Sequence, residues 1–60
     1  ATYILTVFEP SGEKIVEERF DATDDQAAKQ MGEKYLSENK LEEKTHRLVS
    51  PEGKLILFHV

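Results

Sequence analysis

His46 and His59 are the two histidines of this 60-residue chain, and because histidine as a residue type ionises near neutral pH they raise the question of metal binding or acid/base work. A two-histidine metal site needs both rings on one side of the structure, with carboxylates converging on them. The turn chemistry of Ser50-Pro51-Glu52-Gly53 pairs Ser50 with Lys54. Counting outward from that pair sets His46 opposite Phe58 and points His59 to the other face. The expectation is two rim or strand-end histidines and no metal site. Lys44, His46, Arg47 and Lys54 form the one basic cluster, and a sheet exposing aromatic residues and Arg can bind single-stranded nucleic acid. The ribonucleoprotein-type motif is absent, however, and Glu42, Glu43 and Glu52 surround the cluster. Glu17 and Glu18 are neighbours on an extended segment, so they face opposite ways and form no acid/base pair. Ser11 and Ser50 sit in turns with no His-and-acid partner, and neither Gly-containing turn has a phosphate-cradling pattern. Tyr35 lies within an apolar helical stripe and reads as core. No catalytic residue and no cofactor is expected, and the chain reads as a non-enzyme.

Positioning these residues are two nearly identical phrases, "VFEPSGEKIV" and "LVSPEGKLIL". In each, Pro presets φ for the second position of a turn and Gly supplies the left-handed conformation that reverses the chain. The segments beside them, "TYILTVF", "KIVEERF", "THRLV" and "KLILFHV", are short and rich in β-branched and aromatic residues, hence strands. Between the hairpins, "TDDQAAKQMGEKYLSENK" reads as a helix. Thr23 and Gln26 have capping-box spacing, and Asp24 and Asp25 suit the positive end of the helix dipole. Ala27, Ala28, Met31, Gly32, Tyr35 and Leu36 share one side, which predicts a buried face. Ala28 and Gly32, four apart, allow a close approach to whatever lies beneath. The result is one α+β domain over residues 1–60, ββαββ, with a four-stranded mixed sheet and one helix on one face.

The first and last strands are apolar on both parities, whereas the inner two alternate and carry charge, which favours strand order 2-1-4-3 with the outer segments central and parallel. That layout is β-grasp-like and similar to the immunoglobulin-binding domains of bacterial proteins G and L. Tyr3, Leu5 and Val7 are expected to face inward; the other choice would put Thr6 at the core centre. Ile56, Phe58 and Val60 are expected under the helix with Leu48. In the first hairpin the turn pairs Glu9 with Glu13 and turns Ile15 inward, whereas Val16 and Phe20 suit the core better. The residues leave that register open.

A single domain of this size buries only about 60% of its unfolded surface. Cysteine is absent, which excludes disulfides and thiolate zinc sites. A formal charge of -4 opposes a generally basic nucleic-acid or membrane binder. No apolar stretch approaches a membrane span and no signal-peptide pattern opens the chain, so a cytoplasmic protein is expected. One helix covers one sheet face, yet apolar side chains project from both. Apolar patches of this kind mark association sites. Ile4, Phe8, Val49, Leu55 and Leu57 are therefore the candidates for contact with a second copy or another protein, and Lys44, His46, Arg47 and Lys54 those for the alternative, nucleic acid.

On "THRLVSPEGKLILFH", "TYILTVFEPSGEKI" and "DATDDQAAKQMGEKYL" the chain resembles the YhzD-like family of small proteins from Bacillus-type bacteria, over essentially its whole length. The resemblance implies a cytoplasmic bacterial protein. It carries over no activity, ligand or functional residue.

Overall fold

Both Pro-x-Gly turns form as their chemistry dictates, with Gly12 at φ 93° and Gly53 at φ 88°, where a Cβ would be strained. The computed structural model describes residues 1–60 and contains β1 (Thr2–Phe8), β2 (Lys14–Asp21), α1 (Asp25–Glu38), β3 (Thr45–Val49) and β4 (Leu55–His59). The ββαββ order and the α+β class follow the sequence reading.

The strand order does not. The sheet runs β2-β1-β3-β4 with every neighbouring pair antiparallel, so β3 lies beside β1 and β4 is an edge. The expected order 2-1-4-3, its central parallel pair and the β-grasp likeness are corrected by this. Since β2 and β3 both oppose β1, they run in the same direction on either side of it, and α1 makes the crossover between them, a split βαβ unit.

The physical reason lies in the hairpins. Glu9 N donates to Glu13 O at 2.8 Å and Ser50 N to Lys54 O at 2.8 Å, so each turn closes where its sequence predicts. Phe8 then pairs with Lys14, and Val49 with Leu55. One step further, both ladders slip: Val7 meets Val16 and Leu48 meets Leu57, leaving Ile15 and Ile56 as bulge residues. The first bulge settles the register left open above, because it keeps the turn pair and still sets Val16 and Phe20 opposite Val7 and Tyr3. The second lets two consecutive residues, Ile56 and Leu57, pack against the buried cluster. Apolar character on both parities of β4 therefore reflects a bulge on an edge strand, and two-sided burial is not required to explain it.

The sequence echo is thus an echo of register. Val7 and Leu48 occupy equivalent places, as do Ile15 and Ile56, and the bulges coincide. Leu5 pairs with Leu48 and Val7 with His46, so the two hairpins are related by a pseudo-two-fold axis through the Thr6 and Arg47 pair.

Asp24, rather than Thr23, caps α1: its side chain accepts from Ala27 N at 2.8 Å. At the other end Asn39 is the C-cap, Lys40 adopts φ 57°, and Leu41 N reaches back to Leu36 O at 2.8 Å. This is a Schellman closure with lysine in the left-handed place usually held by glycine. Leu41 packs on the core as the motif requires. Ala28, Gly32 and Leu36 are the buried helix positions, while Met31, expected inside, is exposed. A Cβ on Gly32 would stand 3.1 Å from Leu48 Cδ2 and 3.4 Å from Leu57 Cδ1, so the small residue is what lets α1 sit this close. Below the helix, Leu5, Val7 and Leu48 are fully buried, and Phe20 meets Tyr35 edge-on with centroids 6.0 Å apart.

Candidate functional site

Cross-strand partners share a face, so the registers decide what the helix-free side displays. Tyr3, Leu5 and Val7 are buried under α1, which turns Ile4, Thr6 and Phe8 outward as expected. Their partners come with them: Arg19 and Val49 beside Ile4, Glu17 and Arg47 beside Thr6, Lys14 and Thr45 beside Phe8. Val49 brings Leu55, and Arg47 brings Phe58. Four of the five expected contact residues, Ile4, Phe8, Val49 and Leu55, therefore lie together.

Leu57 does not join them. It pairs with Leu48 and packs beneath α1, because the bulge at Ile56 shifts every later residue of β4 by one parity. The same shift overturns the expected placement of Phe58 and Val60 in the core: they are 63% and 91% exposed. Phe58 is the residue of the helix-free face that sequence reasoning missed. No local signal marks it, since its neighbours alternate normally and the parity error enters at the bulge. Two further details shape the face. The Arg47 guanidinium carbon lies 5.6 Å from the centre of the Phe8 ring, holding a cation over an aromatic surface. Glu17 bridges Lys14 at 2.8 Å and Arg19 at 3.5 Å, and its carboxyl is held below its ordinary 4.5, chiefly by the hydrogen bond from Lys14.

The basic cluster does not assemble. Arg47 lies on the open face, His46 is buried on the helix side, Lys44 pairs with Glu9 at 3.0 Å, and Lys54 pairs with Asp25 at 3.0 Å. Lys44, His46, Arg47 and Lys54 thus point into different surroundings.

Asp25, in the first turn of α1, ties three elements together. It accepts from the Tyr3 hydroxyl at 2.7 Å and from Lys54 at 3.0 Å. Those bonds, Tyr3's first, hold its carboxyl below the ordinary 3.8. In return, the bond to Asp25, with burial second, pushes the Tyr3 phenol up to about 12. The signs of the two linkages differ. Tyr3's contribution is complete below pH 10.0 and is lost as pH rises through about 12, and Asp25's is complete above pH 3.8 and is lost as pH falls through its lowered value. Tyr3→Phe is expected to flatten the alkaline limb of a stability-versus-pH profile and weaken the acid limb. Denaturant midpoints of both proteins across the pH range check this; unchanged limbs would mean that the hydroxyl does not engage Asp25.

The histidines also depart from expectation. His46 pairs with His59, not with Phe58, and both rings lie on the helix side with centroids 5.6 Å apart and planes inclined at 27°. His46 is buried and its Nδ1 stands 2.8 Å from the Lys44 carbonyl oxygen. No group of three His, Asp or Glu side chains is arranged to hold a metal ion, and no helix is long and apolar enough to cross a membrane.

Comparison with known proteins gives a match over residues 1–60 to the family model described as YhzD-like protein. The chain is 56% identical over 59 residues to "Uncharacterized protein YhzD" of Bacillus subtilis (strain 168), covering 98% of this chain and 97% of that protein. No solved structure matches.

Proposed function

The chain belongs to the YhzD-like family, and on the geometry of its sheet we propose that it acts as a small binding domain that pairs with a second copy of itself through the helix-free face. The observation that carries the reading is the company of Phe58, 63% exposed, and Leu55, 45% exposed, with Ile4, Val49 and Phe8 on the side that α1 leaves open. A second copy suits this face because its charges are self-complementary. Glu17, Thr6, Arg47 and Phe58 form one row across the four strands. A two-fold axis along the strands, between β1 and β3, lays β2 of one copy over β4 of the other. Each Arg47 then stands one strand spacing, about 4.8 Å sideways, from Glu17 of the opposite copy.

The size of the face sets the strength. Four strands of five to eight residues present about 400 Å² per copy before side-chain relief, near the small end of specific interfaces. The pairing is therefore weak and concentration-dependent. Sedimentation across a concentration series is expected to show the average mass rising toward that of two chains, and Phe58→Asp to hold it at one with the circular dichroism unchanged. A strict monomer at every concentration would end this reading. Single-stranded nucleic acid is the second reading, since Phe8 and Phe58 beside Arg47 resemble a stacking platform. It calls for oligonucleotide binding at low salt that weakens on Arg47→Ala, and the net charge of -4 weighs against it.

A further inference from the structure

We propose that His46 and His59 form a cross-strand clip for a divalent transition-metal ion of the Zn²⁺ or Cu²⁺ class, on the helix side of the sheet and separate from the association face. The β3–β4 register sets the two imidazoles opposite each other, one on each strand of the second hairpin. Their separation suits chelation. Each ligating nitrogen lies about 2.0–2.1 Å from Zn²⁺, which puts a ring centre about 3.2 Å from the metal, and two such arms at a tetrahedral angle span about 5.2 Å. The ring centres here are 5.6 Å apart with the rings stacked at 27°, so the spacing fits and chelation requires the His59 ring to turn its lone pair toward the ion.

The tautomer is also set. A carbonyl oxygen only accepts, so the 2.8 Å contact from His46 Nδ1 to the Lys44 carbonyl requires the proton on Nδ1. The neutral ring then carries its lone pair on Nε2. A backbone carbonyl holding the far nitrogen is the usual support of a metal-binding histidine, fixing both tautomer and ring orientation. His59 is exposed and free to turn its ring toward the ion.

The surroundings supply the charge. A surface depression of about 360 Å³ is lined by Glu33 of α1, Glu42 of the connection after it, both histidines, Leu36, Leu57 and, at the β4 edge, Phe58. The carboxylates do not complete a three-ligand cage with the histidines. Their negative charge, on the rim of the same depression, offsets that of the ion. Two imidazoles and water make a site of modest affinity, and Cu²⁺ binds such nitrogen sites more tightly than Zn²⁺.

The test titrates the intact chain with Zn²⁺, following heat and the imidazole resonances by NMR. Saturable binding of one ion per chain is expected, with His46 and His59 resonances moving together and the thermal midpoint rising, because the clip exists only in the folded hairpin. His59→Ala changes an exposed ring and leaves the core intact, so it is expected to weaken binding at least tenfold and abolish the thermal shift. His59→Gln, which keeps a polar side chain, is expected to behave the same way. Binding that survives either substitution, or that never saturates, overturns the proposal. A mass increase that requires Zn²⁺ overturns it as well, since the ligands would then come from two chains. Failure here leaves the association proposal intact, because the two surfaces lie on opposite sides of the sheet.

Discussion

Leu48→Ala is expected to lower the free energy of unfolding by about 3–5 kcal/mol, near the top of the range for a buried leucine. Leu48 is fully buried at the centre of the sheet, paired with Leu5 on one side and Leu57 on the other, with Gly32 of α1 directly above. The truncation opens a cavity that its neighbours are poorly placed to fill, because Gly32 has no side chain to lower into it. A chain of 60 residues has about 3–9 kcal/mol of stability at the usual per-residue value, so the variant loses about a third or more of it. At about 4–8 °C per kcal/mol the melting midpoint drops by 12 °C or more. Urea and thermal denaturation of the two proteins measure this directly. A loss below about 1 kcal/mol would mean that α1 is not seated on Leu48.

The second large effect is a contrast between two residues of one strand. Leu57→Asp is expected to cost about 2–4 kcal/mol, since it sets a carboxylate against the apolar underside of α1, with Glu33 and Glu42 lining the same depression. Leu55→Asp, two positions earlier on the half-exposed open face, is expected to change stability by no more than about 0.5 kcal/mol while weakening association. In an unbulged strand, residues two apart share a face and the two substitutions would behave alike. The bulge at Ile56 is what separates them. Parallel denaturation curves for the two variants therefore test the register of the second hairpin, and equal losses would reject it.

The same bulge explains why the candidate surfaces were only partly legible. Ile4, Phe8, Val49 and Leu55 were readable because they lie before the slip or across from β1, where alternation holds. Phe58, Leu57 and His59 lie beyond it, where counting outward from Ser50 and Lys54 gives the wrong face and so the wrong partner for His46. Arg47 and Lys54 are close in sequence and both basic, yet one sits over Phe8 and the other on Asp25. Charge clustering along a chain says little about clustering in space when a hairpin turn intervenes.

By itself the sequence determined what short-range chemistry controls. Pro and Gly placed both reversals, strand-forming residues filled the segments beside them, and helical periodicity placed α1 and most of its buried stripe, although Asp24 takes the cap expected of Thr23 and Met31 is exposed. The excess of apolar residues over what one helix can cover was also readable. Tertiary structure alone decided which strand lies beside β1, where each ladder slips, and hence which ring His46 meets. Those choices depend on free energies of burial shared among residues dozens of positions apart. A one-residue slip reverses the face of everything after it while leaving every local preference satisfied.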